Sequence, residues 1–133
     1  MSETARKVEA PAVERHPGKF VWFELLTSES RRAQAFYGAV LGWKVQPFPM
    51  GSGQTYEMIH AGDAMIGAYA SPRRPGEPSR WIAFASVTDV DRTVAEALSG
   101  GGTVVEPSHD IPGVGRRAGL LDPQGAEFSC SAA

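Results

Sequence analysis

The chain repeats itself. Trp22–Val45 superposes on Ile82–Val105 at a constant offset of 60 residues, with matches at Ser28/Thr88, Glu29/Asp89, Arg32/Arg92, Ala35/Ala95, Gly42/Gly102 and Val45/Val105. Such a period is too long for the common solenoid repeats, and two copies are too few to stack into one. A duplicated supersecondary unit is the remaining reading, and it limits the fold to two similar halves sharing one core.

Each half opens with an apolar run, Phe20–Leu26 or Trp81–Val87, that has the composition of a strand. A helix follows in each. Ser28 is the expected first N-cap, and Ala33, Phe36, Tyr37, Val40 and Leu41 form an i, i+3, i+4, i+7, i+8 stripe ended by Gly42. Thr88 is the second expected cap, Val90, Val94, Ala97 and Leu98 the stripe, and Gly100-Gly101-Gly102 the stop. The period then shortens. Trp43–Phe48, Gln54–His60 and Ala64–Ala70 in one half, and Thr103–Pro107, Gly115–Leu121 and Ala126–Ser131 in the other, are predicted strands bounded by turns such as Ala61-Gly62-Asp63 and Asp122-Pro123-Gln124-Gly125. Each module is βαβββ, over 20–70 and 80–131, joined by a linker at 71–79 that holds Pro72, Pro75, Gly76 and Pro78.

Composition narrows the class. A chain of 133 residues suffices for one core, and 42% hydrophobic content without a long apolar run predicts a soluble globular domain with no membrane partner. Residues 1–18 are charged, carry Pro11 and Pro17, lack the apolar stretch of a secretory signal, and are expected to form a flexible arm, so the expected location is cytoplasmic. A net charge of −2, with Arg31-Arg32, Arg73-Arg74 and Arg116-Arg117 scattered along the chain, predicts no nucleic-acid partner. The single cysteine, Cys130, cannot form an internal disulfide; alternating with Phe128, it reads as core more readily than as a reactive thiol.

The strings Ala35-Phe36-Tyr37-Gly38, Leu41-Gly42-Trp43, Val87-Thr88-Asp89-Val90-Asp91, Gly101-Gly102-Thr103-Val104 and Leu121-Asp122-Pro123-Gln124-Gly125-Ala126 resemble the vicinal oxygen chelate superfamily. Glyoxalase I, extradiol dioxygenases, fosfomycin-resistance proteins, methylmalonyl-CoA epimerase and bleomycin-binding proteins belong to that group. The resemblance spans Lys19 to about Ser131 and implies an α+β fold in which two tandem βαβββ modules form a curved, cup-shaped mixed sheet, with a small-molecule site on the concave side. It does not choose a reaction, because the fold hosts lyases, isomerases, oxygenases, transferases and binders.

In the metal-dependent members, His, Gln or Glu ligands come from the first and last strands of each module and hold a divalent ion that acts as a Lewis acid. By that resemblance the four positions fall here on Trp22, Gly67, Ile82 (Trp81 if the register slips by one) and Ser129, a set that makes no metal site. Glu24 and Glu127 lie two residues away on the same faces, so a relocated site remains open. The expectation is therefore no metal and no cofactor. Of the histidines, His16 lies in the arm, His60 closes a strand, and His109, expected in a loop before Ile111, is the one placed to cover a ligand.

Strand alternation places Phe20, Trp22, Glu24 and Leu26 on one face, with Met65, Gly67 and Tyr69, then Ile82, Phe84 and Ser86, then Glu127, Ser129 and Ser131. Trp22, Glu24, Met65, Tyr69, Ile82, Phe84 and Ser129 are the candidate ligand-binding residues, for an aromatic or hydrophobic organic molecule; equally, these side chains fill the space between strands. Glu24, flanked by Phe23 and Leu25, is the candidate catalytic base if it is desolvated, and a solvated or Arg-paired carboxylate at the cup's mouth if it is not. Two function classes follow. One is a metal-independent binder that sequesters a drug or metabolite or serves a pathway as an accessory; the other is a lyase, isomerase or dioxygenase-type enzyme using Glu24 or a relocated metal. An open cup with apolar edges also predicts a homodimer.

Overall fold

The computed structural model describes residues 16–49, 53 and 55–133. The expected arm at 1–18 lies mostly outside them. The order is β1 (Phe20–Leu26), α1 (Ser30–Leu41), β2 (Lys44–Pro49), β3 (Thr55–Ala61), β4 (Ala64–Ala70), β5 (Arg80–Ser86), α2 (Val90–Ser99), β6 (Thr103–Ile111), β7 (Gly115–Leu121) and β8 (Glu127–Ala132). The eight strands form a single mixed sheet in the order β2-β3-β4-β1-β5-β8-β7-β6. That order is its own mirror: in each half the first strand pairs in parallel with the last, β1 with β4 and β5 with β8. The antiparallel pair β1–β5 joins the halves, setting Trp22 beside Phe84 and Glu24 beside Ile82. This is the α+β glyoxalase-like sheet.

The helices start one residue later than the capping pattern suggests. Glu29 stands at the N-cap of α1 without a side-chain bond to the helix backbone, the Thr27 hydroxyl accepting from its backbone N–H instead. Asp89 caps α2 by accepting from the Arg92 backbone N–H. Gly42 ends α1 in the left-handed region at φ 73°, where a side chain would be strained.

Three apolar clusters separate the two faces. On the cup side, Trp22, Leu26, Phe48, Tyr56, Met58, Ala68, Ile82 and Phe84 pack together. Val90, Ala118, Leu120 and Cys130 pack beneath α2, and Leu25, Ile59 and Tyr69 face Ala33 and Tyr37 of α1. Cys130 is a buried core residue whose thiol burial pushes above its ordinary range. Only part of the α1 stripe is covered: Phe36, Val40 and Leu41 are 57%, 59% and 54% exposed.

Alternation fails in β4, and it does so at one residue. His60 pairs with Met65 while Ile59 pairs with Gly67, so Ile66 is a bulge that reverses the phase of everything after it. Met65 packs against the cup-side cluster, but further along it is Ala68 and Ala70 that do so. Tyr69, expected in the cup, lies on the helix side with Leu25 and Ile59. Gly67 likewise leaves the expected face.

Candidate functional site

The cup holds a buried charge at its centre. Glu24 is 1% exposed on the middle strand β1, and Arg117 reaches it from β7 with Nη2 2.8 Å from Oε1 and Nη1 3.0 Å from Oε2. Oε2 also accepts from the Trp22 indole N–H at 3.0 Å and from the Tyr56 hydroxyl. The Arg117 guanidinium stacks over the Phe84 ring at 4.3 Å. Three apolar or aromatic walls and one fork-shaped cation therefore hold a carboxylate that could not be buried alone. Burial, then the neighbouring Glu24 charge, raise the Tyr56 phenol well above its usual range, with Arg117 opposing. Burial acts to lower the Arg117 pKa, but Glu24's charge and hydrogen bonds outweigh it and the net direction is up.

A second polar group closes the outer end. Arg73, from the segment joining the modules, lies 2.5 Å from Glu127 of β8 and 3.7 Å from Glu106 of β6. Arg80 adds a 3.3 Å contact to Glu127, and Glu77 ties the segment down by accepting from the Arg73 and Arg74 backbone N–H groups. Room for Arg73 exists because residue 119 is glycine: a Cβ there would lie 3.1 Å from Arg73 Nη2 and 2.9 Å from the Glu106 Cβ. Between the two polar groups lies a cavity of about 210 Å³. Leu26, Ile82, Phe84 and Ile111 make its apolar walls, and Glu24, Tyr56, Arg117, Arg73, Glu106 and His109 its polar ones, with His109 directly across from Arg117 on the neighbouring strand.

Of the residues singled out from sequence, Glu24, Ile82 and Phe84 line this cavity together. Trp22 lies behind it, packed in the cup-side cluster and bonded to Glu24. Met65 packs against that cluster without lining the cavity. Ser129 is fully buried beside Phe84 and Gly119, its hydroxyl without a hydrogen-bond partner among the described residues. Tyr69 is not brought to the site. His109 belongs to β6 rather than to a loop, since that strand runs on to Ile111.

Arg117, Tyr56, Arg73 and Glu106 escaped the sequence reading. A signal for Arg117 was present in Arg116-Arg117: consecutive side chains on a strand point to opposite faces, so one of two adjacent arginines had to face the cup. Arg116 does face outward, to Asp91 and Asp110. Glu106 carried no such signal, because bulges on both sides of it displace the register of β6.

The strand positions that hold a divalent ion in metal-dependent relatives do not fit one here. Of the four positions, Gly67 and Ile82 offer no ligand atom, the Trp22 indole N–H donates to Glu24 and Ser129 has only a buried hydroxyl, while of the nearby carboxylates Glu24 is closed off by a guanidinium and Glu127 is shared between Arg73 and Arg80. Among the described residues no group of three or more His, Cys, Asp or Glu side chains is placed to hold a metal.

The glyoxalase-like domain family model matches residues 21–131, both modules from the first strand to the last. The chain belongs to the glyoxalase-like family. With it comes membership of the vicinal oxygen chelate superfamily. The "Putative glyoxylase CFP32" of Mycobacterium tuberculosis is 45% identical over 112 residues, 84% of this chain and 43% of the relative. "Anthracycline biosynthesis protein DauV" of a Streptomyces species is 39% identical over 118 residues, 85% of this chain and 41% of the relative. The chain thus spans about two fifths of the length of these relatives. In three dimensions it is similar to the hypothetical protein BH1468 from Bacillus halodurans C-125, with a TM-score of 0.62 at 14% identity, covering 87% of this chain and 94% of that one. No helix among the described residues is long and apolar enough to cross a membrane.

Proposed function

We propose that this glyoxalase-like chain binds a small organic molecule, apolar or aromatic in its body, in the cavity between Glu24–Arg117 and Arg73–Glu106, without a metal ion. The observation that carries this reading is the state of Glu24. Its Oε2 accepts from three donors and its Oε1 from the same guanidinium, so the carboxylate is engaged as structure and its lone pairs are largely taken. The enzymatic alternative with Glu24 as base would need that fork to open.

Size refines the ligand class. Pockets for drug-sized molecules run to roughly 300–1,000 Å³, and the 210 Å³ here favours a metabolite of about ten non-hydrogen atoms over sequestration of a large drug. The similarity to a protein named for anthracycline biosynthesis supports a pathway-accessory role of this kind, and the similarity to one named as a glyoxylase supports a small substrate. The uncovered Phe36, Val40 and Leu41 of α1 support a homodimer, and the absence of a membrane-spanning helix among the described residues is compatible with a cytoplasmic setting.

The test is amide chemical-shift mapping on titration with anisole, a neutral probe of about eight non-hydrogen atoms. Saturable shifts at Ile82, Phe84 and Ile111 are the expected result. Shifts confined to α1, or none up to the probe's solubility, would reject the cavity as a ligand site.

A further inference from the structure

The outer wall of the cavity sets the His109 imidazole beside the Glu106 carboxylate. His109 Nδ1 lies 2.9 Å from the Pro107 carbonyl oxygen, which can only accept, so Nδ1 carries the proton. In the neutral ring that leaves Nε2 as an acceptor, and Nε2 lies 3.5 Å from the Glu106 carboxylate. Glu106 has a further neighbour in Arg73 Nη2 at 3.7 Å, beyond hydrogen-bond distance. A half-buried carboxylate, an imidazole nitrogen and a guanidinium thus converge on one end of the cavity.

The backbone is shaped to make this convergence. On a regular strand, residues three apart point to opposite faces. Here Val104 pairs with Leu120, Glu106 with Gly119 and His109 with Arg117, so β6 spends one extra residue before Glu106 and another after it. The first bulge turns Glu106 from the face of Val104 into the cup, and the second brings His109 to the same side, where both line the cavity. Gly119, opposite Glu106, supplies the clearance for its Cβ.

We infer that the cavity's ligand carries a hydroxyl group, seated between Glu106, His109 and Arg73. The O–H donates to Nε2 or to the carboxylate, and its oxygen accepts from an Arg73 N–H. An ammonium would also donate, but Arg73 already supplies a cation at this spot, and a second would be desolvated beside it. The remainder of the molecule lies against Phe84, Ile82 and Ile111. This inference rests on the proposed ligand site and specifies the chemistry at its outer end.

The experiment compares benzyl alcohol, anisole and benzylamine, which match in size and ring but differ in the donor, by amide chemical-shift titration on the wild-type chain and on His109→Phe and Glu106→Gln. Benzyl alcohol is expected to bind about tenfold more tightly than anisole, as for one hydrogen bond to a charged group. Both substitutions should shrink that ratio towards one while leaving anisole binding in place. Equal affinities for alcohol and ether on the wild-type chain would overturn the hydroxyl while leaving the cavity reading intact, and so would a ratio that neither substitution changes. Tighter binding of benzylamine than of benzyl alcohol would overturn it in favour of a cation. If no probe binds, the cavity is no ligand site and the inference falls with it.

Discussion

Arg117 and Glu24, 93 residues apart in the chain, hold each other through paired hydrogen bonds of 2.8 and 3.0 Å across the open face of the sheet. The pair fastens the second module's β7 to the first module's β1, and its cost is desolvation of both charges. Removing either partner alone leaves the other buried without its counter-charge. Arg117→Met and Glu24→Leu are each expected to lose about 3–5 kcal/mol in urea denaturation, whereas the double substitution Arg117→Met/Glu24→Leu should lose much less than the sum. Additive losses would mean that the two side chains are not energetically coupled.

Alkali should expose the same network through Tyr56. Its phenol is held protonated by burial first and by the Glu24 charge second, and Tyr69 is raised in the same direction by burial, then Tyr37 and Glu57. A folded-state pKa raised above the unfolded one contributes stability that is complete below the unfolded value, near 10 for tyrosine, and is lost as pH climbs towards the folded value. Of the three tyrosines, two should therefore ionise late, and stability should fall above about pH 10. Absorbance titration near 295 nm checks this; three tyrosines ionising together near pH 10 in folded protein would contradict it.

What the sequence made legible was whatever depends on regular periodicity. The offset of 60 marks the duplication, and alternation in β1 and β5 places Trp22, Glu24, Ile82 and Phe84 on the cup face. What it hid depends on single-residue irregularities. The bulge at Ile66 turned Tyr69 away and brought Ala68 in, and the two bulges of β6 carried Glu106 to the cavity. No residue of β4 from Ala64 to Ala70 is charged or strongly polar, so the phase reversal at its bulge leaves no mark in the hydrophobic pattern. Pairings at long separation were hidden for another reason: the identity of Glu24's partner is set by which strands become neighbours, and Arg117 looks locally like any surface arginine.

Gly119 should prove intolerant of a side chain for a reason unrelated to backbone freedom. A methyl group there meets the Glu106 Cβ at 2.9 Å and Arg73 Nη2 at 3.1 Å, so the arginine's flexible end must withdraw and β6 must shift. Gly119→Ala is expected to cost about 1–3 kcal/mol by overpacking and to alter probe binding at Glu106 and His109. Unchanged stability and unchanged binding would show that Arg73 is not wedged against this strand. Gly67→Ala is the harsher case, since its Cβ would fall 1.8 Å from the Phe23 carbonyl oxygen; failure to accumulate folded protein is the expected outcome.

The exposed side of α1 predicts association. Phe36, Val40 and Leu41 are each more than half exposed, and Trp81 is 37% exposed at the edge of the aromatic group it forms with Tyr37 and Trp43. Apolar surface of this kind on adjacent turns of one helix is a poor solvent face, and a second copy of the chain could bury it against the same surface by twofold symmetry. Sedimentation velocity at micromolar concentration should show a dimer. Val40→Glu should shift it to monomer without loss of folded structure, because Val40 contributes to no buried cluster and a charge there meets only solvent in the single chain. A wild-type monomer at that concentration would remove the dimer, and a dimer that survives Val40→Glu would move its interface away from α1.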